Sequence, residues 1–220
     1  MSLRDLAPRV PHISVGNGVD KILNPFGPMI YQTFLSDDEV AVLLLEGSKL
    51  TSENNDYSLS LAGNMKKGGS LRYSEDFRKQ FAPIIMSKAN TFVSGVSNVF
   101  GFKLPQPEDM DLFDLWINYQ KSNDFNPFHT HAHFLSFVIY CDVPQNIFED
   151  QATSNLPVAG HISFNYGEAI TPMSNQAFVV KPENNLMFIF PAKLHHVVYP
   201  FYSDGTRVSV AGNISCNYPT

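Results

Sequence analysis

The sequence is poor in cysteine, in charge and in long apolar runs, and each shortage excludes something. Cys141 and Cys216 are the only cysteines among 220 residues. Neither sits at metal-ligand or disulfide-framework spacing, so two reduced thiols in a cytoplasmic protein are expected. Charged residues make up only 16% of the chain, and acids outnumber bases to give a net charge of −6. That balance argues against a nucleic-acid backbone as the main partner. No apolar run approaches the roughly 18 residues of a membrane span. Met1–Val10 carries Arg4, Asp5 and Arg9 and lacks the form of a signal peptide.

What the chain does have is apolar and aromatic side chains. Hydrophobic residues reach 44% and aromatics 13%, with 18 phenylalanines, a composition that suits a sheet protein with a real core. The length fits one large domain. Residues 1–35 are rich in proline and glycine, with a strand expected at Met29–Leu35. Ser36-Asp37-Asp38-Glu39 has the form of a capping box ahead of the run Val40–Leu45, and predicts a short helix. Thr51–Ser70 is polar and without period; it reads as a long surface loop and a lid candidate, as does Asn146–Pro157. Phe77, Phe81, Ile84, Ile85, Phe92, Val96, Val99 and Phe100 recur at helical spacing and predict a helix over Ser74–Phe100 that ends at Gly101. Pro83 inside it predicts a kink or a late start.

Beyond Pro105 and Pro107 the texture becomes short β-type segments: Leu112–Gln120, Leu135–Asp142, His161–Asn165, Ala177–Val180, Leu186–Phe190 and Arg207–Ile214, with turn residues between them. The expected architecture is mainly β, a jelly roll (double-stranded β-helix) over 111–214, supported by a helical and loop region over 1–110 in a single domain of 1–220. Oligomeric state is not legible.

Asn126-Pro127-Phe128-His129-Thr130-His131-Ala132-His133 runs straight into the apolar stretch Phe134–Tyr140. In an extended strand alternate residues face one side, so His129, His131 and His133 could share a face. A second cluster, Leu194-His195-His196-Val197, follows the predicted strand Leu186–Phe190, and five of the seven histidines lie in these two clusters. Imidazole suits iron, copper, zinc and nickel, and two near ligands with one distant one can hold a metal while leaving positions open. Arg207 opens a strand whose alternation places Arg207, Ser209, Ala211 and Asn213 on one face and Val208, Val210 and Ile214 on the other. A guanidinium fork there fits a carboxylate.

Taken together, Trp116-Ile117-Asn118-Tyr119-Gln120, Phe125–His131, Leu135–Tyr140, Phe190-Pro191-Ala192, His196–Pro200 and Arg207–Ile214 resemble the Fe(II)/2-oxoglutarate-dependent dioxygenases, in particular a branch from bacteria and marine phages. The resemblance spans roughly Asp111 to Ile214. It implies a jelly-roll oxygenase that couples 2-oxoglutarate decarboxylation to hydroxylation, with dioxygen as the other cosubstrate. It also implies His129, His131 and His196 as ligands of Fe(II) and Arg207 as the anchor of the far carboxylate of 2-oxoglutarate. Position 131 departs from the family pattern, which places a carboxylate there; Asp124 precedes the motif and is not taken as its replacement. Tyr119, Asn118, Ser136 and Asn213 are candidate cosubstrate contacts, or else satisfied core polar groups. His133 and His195 are expected beside the metal rather than on it, and His161 as structural. Two rivals stand beside this reading: a cupin-like three-histidine dioxygenase that does not use 2-oxoglutarate, and a non-catalytic jelly-roll binding protein. The substrate is open among protein side chains, nucleobases and small molecules.

Overall fold

The computed structural model describes residues 12–15, 20–23, 27–150, 153–168 and 175–217. Twelve strands and three α-helices are found there: β1 (His12–Val15), β2 (Asp20–Leu23), β3 (Ile30–Phe34), α1 (Asp37–Gly47), α2 (Ser52–Asn55), β4 (Ser70–Arg72), α3 (Glu75–Phe100), β5 (Met110–Lys121), β6 (Asn126–His129), β7 (Leu135–Asp142), β8 (Ile162–Asn165), β9 (Ala177–Val180), β10 (Leu186–Pro191), β11 (His195–Val198) and β12 (Thr206–Cys216). The strands form an eight-stranded sheet in the order β1-β2-β3-β10-β7-β12-β5-β4 and a four-stranded sheet in the order β6-β11-β8-β9. All paired neighbours are antiparallel. This is the two-sheet jelly roll that the strand pattern predicts.

The large sheet is a middle layer, which explains why β7 and β10 carry apolar residues on both faces. Phe137, Ile139, Met187 and Ile189 join a core with α1 and α3 on one side. Tyr140, Leu186, Phe188 and Phe190 join a second core with the small sheet on the other. A strand covered on both faces reads as an unbroken apolar run rather than an alternation. β5 and β12 share a long ladder in which Arg207 faces Gln120, Ser209 faces Asn118 and Ala211 faces Trp116. Gly212 lets these strands close: a Cβ there would lie 2.4 Å from the Asp114 carbonyl oxygen and 2.5 Å from the Phe137 ring.

α1 begins with the expected capping box, the Ser36 hydroxyl accepting from the Glu39 amide and the Glu39 carboxylate from the Ser36 amide. α3 starts at Glu75 behind the Ser74 cap and ends on Gly101 in the left-handed region, φ 69°, where glycine has no steric penalty. Pro83 causes no late start. It lies on the exposed face, where solvent can reach the carbonyl that loses its helical partner. Val99 and Phe100, read as part of the apolar stripe, are exposed at 49% and 38% because the last turn runs past the core.

The stretch expected as a loop over Thr51–Ser70 is more structured than its polarity suggests. It contains α2 and a turn of 3-10 helix at Ser58–Ser60, and it is fastened by isolated bridges between Asp56 and Leu71 and between Asn64 and Phe125. The N-terminal region is also more than support, because β1–β4 extend the large sheet at both edges. Among the described residues, no helix is long and apolar enough to cross a membrane.

Candidate metal and cosubstrate site

β6 and β11 place His129 directly opposite His196 across an antiparallel pair, bringing their rings to 4.2 Å between centroids. His131 lies just beyond the end of β6, where its amide donates to the Ala192 carbonyl at 2.8 Å. Its ring sits 5.0 Å from that of His129 and 5.2 Å from that of His196. One ring nitrogen from each of the three lies within 4.8 Å of the others. The chain bends over residues 132–134, so the strand alternation expected to carry His133 onto the same face ends before it. His133 packs against Phe113, the rings tilted with centroids 4.3 Å apart, and His195 stacks on Phe128 at 4.7 Å.

The local hydrogen bonds fix the tautomers of His129 and His196. Nδ1 of His129 lies 2.6 Å from the Pro127 carbonyl, and Nδ1 of His196 lies 2.9 Å from the Leu194 carbonyl. A carbonyl can only accept, so each Nδ1 carries the proton and each Nε2 keeps its lone pair. This support of the far ring nitrogen is the usual arrangement behind a metal-bound histidine. Burial, and next the mutual repulsion of the rings, lowers the pKa of His131 to about 4 and of His196 to about 3. Burial lowers that of His129 as well. All three are therefore neutral near pH 7, and the donor set fits a divalent transition metal.

Arg207 lines the same cavity, which encloses about 60 Å³. It is 3% exposed. Nη1 donates to the Gly160 carbonyl at 2.6 Å, Nη2 donates to the Gln120 side-chain oxygen, and Cζ stands 5.5 Å from the Tyr140 ring centroid. Its Nε has no partner among the described residues, and neither has the buried Tyr140 hydroxyl. Burial pushes the Tyr140 phenol up to about 12, so it remains a donor. The ion pairs found among the described residues are Lys49–Glu46 and Lys79–Glu75, both remote from Arg207. A fully buried guanidinium without a counter-charge is costly. Beside an unpartnered hydroxyl, it marks a place for an anion.

The other sequence candidates separate by strand parity. Asn118 lines the cavity and accepts from the Ser70 hydroxyl at 2.8 Å. Tyr119 points to the opposite face and packs against the helix-side core. Ser136 donates to the Asn213 side-chain oxygen at 2.7 Å, and the Asn213 amide donates to Asp114 at 2.9 Å; both lie beyond the cavity lining. Asp124 is buried in a turn, accepting from the Lys121 amide. Among the lining residues that were not site candidates from sequence are Ser209, Gln120 and Tyr140. Ser209 shares the Arg207 face, so alternation carried a signal for it. Tyr140 is hidden in an apolar run. Of the lid candidates, Leu61, Ala62, Gly63 and Met65 line the cavity, whereas the described residues of Asn146–Pro157 do not; 151 and 152 lie outside the described residues.

Residues 114–213 match the family model described as "Putative 2OG-Fe(II) oxygenase". No curated protein matches the chain. Among solved structures, the fold is similar to a prolyl-4-hydroxylase from Pseudomonas putida, with 14% identity, a TM-score of 0.55, and coverage of 86% of this chain and 93% of that one. It is also similar to the viral collagen prolyl hydroxylase of Paramecium Bursaria Chlorella virus-1, solved as its 2OG complex (13% identity, TM-score 0.52, 86% and 96% covered). A third is HygX from Streptomyces hygroscopicus, solved with nickel and 2-oxoglutarate (11% identity, TM-score 0.50, 87% and 84% covered). The match over residues 114–213 covers a little under half of the chain, and the solved structures share its fold; over that core the chain is similar to the Fe(II)/2-oxoglutarate-dependent oxygenases.

Proposed function

We propose that the protein is a non-haem iron oxygenase that couples decarboxylation of 2-oxoglutarate to hydroxylation of a second substrate. The observation that carries this reading is Arg207: a buried, unpaired cation with a free Nε, in the same cavity as three neutral histidines. In this reading His129, His131 and His196 hold Fe(II). Arg207 and the Tyr140 hydroxyl hold the far carboxylate of 2-oxoglutarate, with Ser209 and Asn118 within the same lining. The chemistry supplied by the bound metal is reduction of dioxygen coupled to conversion of 2-oxoglutarate to succinate and carbon dioxide.

The protein's own contribution is placement and exclusion of water. Gln120 and the Gly160 carbonyl fix the guanidinium plane, so Arg207 is oriented before the anion arrives. Its Nε and the Tyr140 phenol are the buried donor atoms left with no partner at all, and each has one bond to make. Phe190, Ile162, Val198 and Trp116 wall the space between the histidines and Arg207 with apolar surface, which strengthens every charge interaction inside it. We take the chain as a single domain over 1–220 with its catalytic core at 111–214, acting in the cytoplasm.

The test is an anaerobic titration of the protein with Fe(II) and 2-oxoglutarate, read by the metal-to-ligand charge-transfer absorption. Absence of that band in protein shown to bind iron removes the proposal. One observation favours a second reading, a three-histidine dioxygenase that binds its substrate directly: among the described residues, no Asp or Glu lines the cavity. Oxygen uptake without succinate formation would select it.

A further inference from the structure

Trp116 is the only tryptophan in the chain. It is 4% exposed, lines the cavity, and its ring lies 6.3 Å from that of His131. On its far side the Tyr57 ring stands 5.7 Å away, tilted by 54°. Tyr57 is half-buried, and its backbone amide is fastened to the Ser70 carbonyl at 2.8 Å. Its hydroxyl donates to the Asp114 carboxylate at 3.2 Å, and the other oxygen of that carboxylate accepts the Asn213 amide at 2.9 Å. Asp114 is 3% exposed, and neither of the ion pairs found among the described residues involves it. Arg72 covers the outer side, its Cζ 5.2 Å from the Tyr57 ring centroid. Burial, and then the Asp114 charge, raises the Tyr57 pKa, so the phenol keeps its proton at rest. The histidine, indole and phenol rings thus form a contact series running from the histidine cluster to the surface, and a proton acceptor stands at its outer member.

We infer that Trp116 and Tyr57 form a one-electron relay between the protein surface and the metal cluster, with Asp114 as the proton acceptor for Tyr57. The inference rests on the metal reading above for its oxidant, a metal-centred one-electron oxidant left when dioxygen is reduced with no second substrate in place. That oxidant takes one electron from the Trp116 indole, and the indole radical takes one from Tyr57. As it does so, the phenolic O–H bond breaks and its proton passes to Asp114. The net result is one electron delivered to the metal centre, a neutral phenoxyl at Tyr57 and a protonated Asp114. A small reductant of the thiolate or ascorbate class, reaching half-buried Tyr57, returns the electron as Asp114 returns the proton. The relay moves oxidising equivalents away from the three ligands to a site that can be repaired.

The experiment separates the relay from the metal reading. In metal-free protein, azide radicals from pulse radiolysis oxidise the single indole without any iron. The expected result is decay of the indolyl signal into a phenoxyl signal at a rate independent of protein concentration. Tyr57→Phe keeps the ring and removes only the hydroxyl, and is expected to abolish that phase; Asp114→Asn is expected to slow it. A phase unchanged in Tyr57→Phe, or no intramolecular transfer in the unaltered protein, overturns the relay. In iron-loaded protein given 2-oxoglutarate and oxygen but no second substrate, peptide mass spectrometry of Tyr57→Phe is expected to show more Trp116 oxidation than the unaltered protein. Equal oxidation in the two, with oxygen consumed, also overturns the relay. Failure of oxygen uptake with transfer intact in the azide arm overturns the oxygenase reading and leaves the relay standing.

Discussion

Arg207→Met separates binding from folding more cleanly than truncation to alanine, because it keeps most of the side-chain volume. The substitution removes hydrogen bonds to Gly160 and Gln120, each leaving a buried acceptor unsatisfied at a cost of about 1–3 kcal/mol. It also removes a fully buried charge that has no counter-ion, a relief of several kcal/mol. These terms oppose each other and are of similar size, so the stability of the ligand-free protein is expected to change by no more than about 2 kcal/mol. Ligand linkage behaves differently. At 2-oxoglutarate concentrations near 100 times its dissociation constant, binding stabilises the native state by about 2.7 kcal/mol. For a chain of this length that raises Tm by roughly 5–10 °C. The assay is thermal unfolding of the nickel-loaded protein with and without 2-oxoglutarate, with metal content measured in parallel. The unaltered protein is expected to show the rise, and Arg207→Met to bind nickel and show none. A variant that keeps the full rise would refute the assignment of Arg207 as the carboxylate anchor.

Four further perturbations probe other parts of the argument. In metal-free protein, His196 has a native pKa of about 3 against about 6.5 when unfolded. Below pH 6.5 the unfolded chain therefore binds a proton that the native state does not. Urea stability should fall by about 1.4 kcal/mol per pH unit from this group as pH drops from 6.5 toward 3, and His196→Gln should flatten that slope. Gly212→Ala forces a Cβ against the Asp114 carbonyl and the Phe137 ring; the urea midpoint should drop by the equivalent of about 1–3 kcal/mol with an unchanged m-value. Ser36→Ala, by removing the α1 cap, should cost about 0.5–2 kcal/mol in the same measurement. His131→Asp should keep the metal but weaken 2-oxoglutarate binding by about tenfold or more, since it cancels one positive charge a few ångströms from the anion; calorimetry showing equal or tighter binding would contradict this.

How far the sequence disclosed this structure depended on what lies on each side of a segment. β7 and β10 were legible because both faces are covered, so their apolar runs had nothing else to be. The long helix was legible for the complementary reason: one face packs and the other does not. β6 and β11, the two strands that bring His129 and His196 together, were missed as strands. Each has only four residues, β6 contains Pro127, and Phe128 and His195 look outward. The histidines themselves were visible only as a spacing, and the bend after His131 that sets His133 aside has no signature in alternation. Tyr119 shows a different limit. Parity along β5 is readable, but which parity faces the cavity is fixed only by pairing Gln120 with Arg207. Asn213 keeps the parity of Arg207, yet lies past the cavity floor, tied to Ser136 and Asp114. Depth along a strand is not encoded by alternation.

The absence of a carboxylate among the cavity residues has a consequence for which ligands the site can hold. Among the described residues its lining contributes three neutral histidines and one guanidinium, with no Asp or Glu. The buried acids Asp114 and Asp124 are engaged elsewhere, with Tyr57 and the Asn213 amide, and with the Lys121 amide. A divalent metal added to this lining would bring the enclosed charge to three positive units. A dicarboxylate would cancel two of them, whereas an aspartate at position 131 would cancel a third in advance. Charges a few ångströms apart in such surroundings interact by about 4 kcal/mol, so the three-histidine set increases the pull on a dianion rather than merely tolerating it. The same residual unit of charge favours a further anion beside the metal over a neutral ligand. In the proposed reading, position 131 would therefore set the charge of whatever else enters the cavity, and Arg207, left without a counter-ion by the fold, would set where its far end lies.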